Sequence, residues 1–85
     1  MVKYGISDGE KMGYIDVTGD KLTFSLGKTL ETRTNYVQAI EKTQELGLSK
    51  VKAKLTYYSL MADLRTVEFI INANDLLGLK RTLGK

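Results

Sequence analysis

The sequence predicts an α+β fold: one small domain over residues 1–85, element order β-β-β-α-β-β-α, with an antiparallel sheet of about five strands and helices packed on one face. Three observations predict it. Apolar and polar residues alternate over the first 27 residues, apolar residues recur at helical spacing over about 31–46, and alternation returns from Lys50 to Ile71 before a leucine-bearing C-terminal stretch.

The first segment sets Val2, Tyr4 and Ile6 on one side and Lys3 and Ser7 on the other. Asp8-Gly9 reads as a two-residue hairpin turn, in which both central residues take positive φ. In the next segment Met12 and Tyr14 share one phase while Ile15 and Val17 share the other, with Gly13 between them; a phase slip beside a glycine predicts a β-bulge. Thr18-Gly19-Asp20 makes a second turn, and Leu22, Phe24 and Leu26 alternate with Lys21, Thr23 and Ser25 to complete a three-stranded meander.

Beyond Lys28 the period changes. Leu30, Arg33, Val37, Ile40 and Leu46, flanked by Tyr36, predict an amphipathic helix capped by Thr29 or Thr32 and stopped by a left-handed Gly47. Lys50–Tyr58 then alternates, with Val51, Ala53, Leu55 and Tyr57 on one face and Lys50, Lys52, Lys54, Thr56 and Tyr58 on the other. Ser59–Leu64 reads as a connection, and Arg65–Ile71 as a fifth strand with Val67, Phe69 and Ile71 inward and Glu68 on the lysine-bearing face. Asn72 or Asn74 is expected to cap a terminal helix through Leu76, Leu77, Leu79 and Leu83, weakened by Gly78.

Composition restricts chemistry more than it suggests it. The chain has no cysteine and no histidine, which removes disulfides, thiolate nucleophiles and the commonest general base and metal ligand. No apolar run reaches the roughly 18 residues of a membrane span, and Met1-Val2-Lys3-Tyr4-Gly5 lacks the apolar stretch of a signal peptide, so a cytoplasmic location is expected. No phosphate loop, dinucleotide glycine pattern or nucleophile elbow is present, and no cofactor or metal is implied. The acids Asp8, Glu10, Asp16 and Asp20 match no ligand spacing and read as turn residues.

Net charge is +3 and uneven: residues 1–27 carry a net −1, residues 28–85 a net +4 from ten basic and six acidic side chains. Lys50, Lys52 and Lys54 on one strand face, with Tyr58 beyond them, suit a phosphate backbone and a stacked base, and Arg65, Lys80 and Arg81 extend that set toward an anionic partner. The same lysines also read as a solvated face, and the tail bases as complements to a helix dipole. Leu76, Leu77, Leu79 and Leu83 pack on the chain's own sheet or on a partner groove. The five tyrosines serve equally as strand formers and as contact residues. These features predict a non-enzymatic protein-binding module, an inhibitor, adaptor or assembly subunit of the kind that phages and other mobile elements encode, with self-association a natural companion. Nucleic-acid regulation is the alternative; the low net charge and Glu68 beside the lysines set it second.

Overall fold

A computed structural model describes residues 2–85; Met1, the first residue of the N-terminal segment read above, lies outside the described residues. The fold is mostly β, not α+β with about five strands: seven antiparallel strands form one sheet, and a single helix follows at the C-terminus. The strands are β1 (Val2–Ser7), β2 (Met12–Thr18), β3 (Lys21–Leu26), β4 (Lys28–Arg33), β5 (Val37–Gly47), β6 (Lys50–Tyr58) and β7 (Leu64–Asn72), and the helix is α1 (Ala73–Leu83). Their order in the sheet is β4-β3-β2-β1-β7-β6-β5.

The meander β1–β3 forms as the alternation predicts, and its hairpin partners extend it to β4, which returns from β3 through Gly27 alone at φ 80°. Two details differ from the sequence reading. Asp8-Gly9 belongs to a four-residue loop between the paired Ser7 and Met12, and only Gly9 of the two has positive φ. The Asp8 carboxylate accepts hydrogen bonds from the amides of Glu10 and Lys11 at 2.8 and 2.7 Å, a closure that needs more than two residues. The expected bulge at Gly13 is absent: β1 and β2 pair without a register shift. Met12 and Tyr14 are apolar residues on the outward face, so a single phase looked like two. Gly13 occupies the inward phase, where a Cβ would collide with the Ser25 carbonyl.

The predicted helix over 31–46 is a strand end, a 3₁₀ turn at Thr34–Tyr36 and β5. The reason lies in β5 itself. Its register slips between Val37, opposite Tyr57, and Ala39, opposite Thr56, so Val37 and Ile40 both face inward although three residues apart. A bulge thus copies helical spacing on a strand. Neither Thr29 nor Thr32 caps a helix. Thr32 is buried, and its hydroxyl donates to the Tyr58 carbonyl at 2.7 Å. Gly47 does take positive φ, but it leads into the β5–β6 hairpin, whose loop residues Leu48 and Ser49 also have positive φ, as a type I′ turn demands.

The sheet curls. Phe24 of β3 meets Phe69 of β7 edge-on at 5.7 Å between ring centroids, although two strands separate them in the sheet. The Thr34 amide donates to the Asp20 carbonyl, tying the chain after β4 back to the β2–β3 turn. The concave side holds the core, with Ile15, Leu22, Leu55, Phe69 and Ile71 nearly inaccessible to solvent. Helix α1 completes it through Leu76, Leu79 and Leu83, spaced to share one helical face. Asn72 caps α1 by accepting from the Asn74 amide, and Gly84 closes it in the left-handed region at φ 71°.

Candidate protein-interaction surface

The lysine face exists, but its charge is largely spoken for. Lys50, Lys52 and Lys54 project outward from β6. The outward phase of the neighbouring strands brings carboxylates alongside: Lys52 lies 3.5 Å from Glu68 of β7, and Lys54 lies 3.5 Å from Glu41 of β5, directly opposite it in register. Glu68 sits where the sequence placed it. Glu41 was assigned to a helix, so its approach to Lys54 was not legible. Arg65 lies opposite Tyr57, in the inward phase, and pairs with Asp63 at 3.6 Å. Lys80 and Arg81 belong to the last turn of α1, which packs on the concave side, whereas the lysines lie on the convex side. The two basic groups therefore rise from opposite sides of the sheet.

The acidic residues are absorbed by turns and ion pairs. Hydrogen bonds from the Lys11 and Glu10 amides hold the Asp8 carboxyl below its ordinary value. Asp16 accepts from the Thr18 hydroxyl, and Asp20 pairs with Arg33 at 2.8 Å. Among the described residues no group of three or more acids is placed to hold a metal ion, and no helix is long and apolar enough to cross a membrane. Of the four leucines read as interface candidates, Leu76, Leu79 and Leu83 spend their apolar surface in the chain's own core, and Leu77 alone is exposed. Among the tyrosines, Tyr57 is buried, Tyr14 carries the Lys3 ammonium over its ring at 4.2 Å, and Tyr58 is exposed on the convex face.

Among the described residues, four of the exposed large apolar side chains cluster along the chain at the end of β6 and in the stretch that the sequence showed as a connection. Within residues 58–64, the β6–β7 turn and its flanks, four large apolar side chains face solvent: Tyr58, Leu60 at 59%, Met61 at 83% and Leu64 at 59% exposed. Single exposed apolar residues are ordinary; four in seven consecutive residues are not. Their signal was present in the sequence as apolar residues in a stretch with no turn chemistry to need them.

The turn that carries them is built to hold one shape. The Ser59 amide donates to the Asp63 carbonyl at 2.8 Å, and the Ala62 amide donates to the Ser59 carbonyl at 2.9 Å. The Ser59 hydroxyl accepts from the amides of both Met61 and Asp63. Ala62 is held at φ 66°, a conformation that costs a non-glycine residue about 1 kcal/mol or more. The Thr32 hydroxyl pins the base of the turn at the Tyr58 carbonyl. Leu60 reaches a cavity of about 140 Å³ beside Asp20, Lys21, Glu31 and Arg33, whose charges cancel in the pairs Asp20–Arg33 and Lys21–Glu31. Leu60 thus meets a cavity whose other lining residues are polar or charged.

Fold and surface together define a curled, seven-stranded antiparallel sheet closed by one helix, with an ordered apolar turn at one end. No protein-family model matches the chain, and no curated protein matches it.

Proposed function

We propose that this chain is a non-enzymatic protein-binding module, acting as an inhibitor, adaptor or assembly subunit, and that it docks through the β6–β7 turn. The observation that carries the proposal is the ordered presentation of Tyr58, Leu60, Met61 and Leu64 to solvent. A turn whose shape is set beforehand loses little conformational freedom on binding. Methionine adapts to an irregular partner surface, and tyrosine adds area with one polar tip. Two of the three β6 lysines lie beside carboxylates, which argues against a phosphate-tracking surface.

The test compares the wild-type chain with a Leu60→Asp, Met61→Asp double variant. Both side chains are exposed, so the variant is expected to melt within a few degrees of wild type by circular dichroism. Proteins retained from cell extract by the wild type should be lost with the variant, and calorimetry on the identified partner should show at least a tenfold drop in affinity. Retention of the same proteins by both chains would remove the turn from the interface. A parallel titration with random-sequence DNA and RNA at low salt is expected to show no binding. Strong binding that collapses with salt would replace the protein-binding reading by a nucleic-acid one.

A further inference from the structure

Strand β7 is paired along its whole length on one side and almost nowhere on the other. It matches β6 over nine consecutive pairs, Lys50↔Asn72 to Tyr58↔Leu64, with no irregularity. On its other side it meets β1 only through Ile6↔Ile71 and Ser7↔Ile70. The six residues Leu64–Phe69 have no strand partner there, and no other backbone hydrogen bond reaches them among the described residues. Leu64, Arg65, Thr66 and Glu68 are exposed. The outer strands β4 and β5 also have free sides: three register irregularities break β5, and Lys28, Glu31 and Arg33 place charges along β4, both known protections against pairing. The free stretch of β7 pairs with β6 without a break, and its two charges, Arg65 and Glu68, are ones that a partner strand must complement.

From this geometry we infer that Leu64–Phe69 accepts an extended strand of a different protein by antiparallel strand addition. The inference rests on the protein-binding reading and gives it a recognition mode, since this stretch begins at the apolar turn. A second copy of the chain is the obvious rival occupant, and register disfavours it. Two antiparallel strands related by a two-fold axis normal to the sheet must place residues of the same face opposite each other. Centring on Arg65 sets Arg65 directly against its own copy, and centring on Thr66 sets the two Arg65 side chains diagonally adjacent. Centring on Val67 makes the two Glu68 side chains diagonal neighbours, and centring on Glu68 sets them face to face. Each of these four registers brings like charges opposite or diagonal to one another, which disfavours a strand pair. A foreign strand escapes this by complementing both: an acid opposite Arg65, a base opposite Glu68, and apolar residues opposite Val67 and Phe69.

The probe is the end-blocked peptide Val-Lys-Val-Thr-Glu-Val, titrated into the full isotope-labelled chain to millimolar concentration and followed by amide NMR and hydrogen exchange. In the free chain, alternate amides within Leu64–Phe69 should exchange fast. Peptide should shift and protect these amides, leaving β5 unmoved, and a peptide N-methylated at alternate residues should do neither. Arg65→Glu should weaken binding about threefold, as for exposed ion pairs, and replacing the peptide's glutamate by lysine should restore it. No shift, or shifts that survive N-methylation, would overturn the inference. Full protection of the free chain together with a doubled mass would also overturn it, in favour of the second copy. If Leu60→Asp, Met61→Asp abolishes partner capture while the peptide leaves β7 unperturbed, the docking turn stands and strand addition fails.

Discussion

At the scale of single residues, the molecule holds several side chains and backbones where alternatives are excluded by contact rather than by preference. Gly13 is one: a methyl group there meets the Ser25 carbonyl, which belongs to a neighbouring strand and cannot retreat without breaking the β2–β3 pairing. Gly13→Ala is expected to destabilise the fold by about 1–3 kcal/mol, read as a lower urea midpoint. Leu48 is the opposite case. It is 97% exposed and held at φ 53°, with Ser49 beside it at φ 63°. Asn-Gly is the pair that this turn prefers, so Leu48→Asn with Ser49→Gly should raise stability by roughly 1 kcal/mol in thermal melts. Asp8 gives a pH signature. Its carboxylate is stabilised in the folded chain, chiefly by the Lys11 and Glu10 amides, and its folded pKa lies below the ordinary 3.8. The stability it adds is present above pH 3.8 and is lost as pH falls through the folded value. The gap in urea midpoint between wild type and Asp8→Ala should therefore be constant near neutrality and narrow below pH 3.8.

At the scale of elements, the contrast between β6 and β5 shows what patterning specifies. In β6 every inward residue from Val51 to Tyr57 is apolar and every outward one polar or tyrosine, so its faces were legible from alternation alone. In β5, irregularities between Val37 and Ala39 and again near Thr43 and Leu46 move the phase, and its second half has no buried residue. Alternation is lost, and the spacing of Val37 and Ile40 imitates a helix. The Thr43 hydroxyl bonding to the Lys52 carbonyl is a strand feature that no helical reading anticipates, whereas the Lys42–Glu45 pair, three residues apart, suits a helix as well. Lys42 also donates the hydrogen bond that holds the Glu45 carboxyl below its ordinary value. The Thr32 hydroxyl on the Tyr58 carbonyl links the outer strand β4 to β6 across the curl. Thr32→Val keeps the shape and deletes that bond, and is expected to cost about 1–2 kcal/mol by chemical denaturation. Because the same bond anchors the apolar turn, hydrogen exchange in residues 59–63 should also accelerate.

At the scale of the whole molecule, charge is arranged as pairs across strands: Lys52 with Glu68, Lys54 with Glu41, Lys21 with Glu31, Arg33 with Asp20. All are exposed, so each contributes little. Reversing two together, Lys52→Glu with Lys54→Glu, should leave the fold intact and lower stability by about 1 kcal/mol, with the loss shrinking as salt screens the new repulsion. Loss of folding would show these side chains to be buried. The sequence by itself determined the alternation of faces in β1, β3 and β6, the inward set Val67, Phe69 and Ile71 of β7, a terminal helix capped at Asn72 or Asn74, and the absence of cysteine and histidine chemistry. Each of these depends on a residue and its near neighbours along the chain. Only the tertiary structure decided that residues 28–47 form strands, that Thr32 reaches Tyr58, that three of the four C-terminal leucines are core, and that one side of β7 stays open. Strand pairing joins residues far apart in sequence, and a bulge or a free edge exists only relative to the neighbouring strand; a free edge leaves no mark in local periodicity, and the bulge of β5 leaves one that reads as a helix.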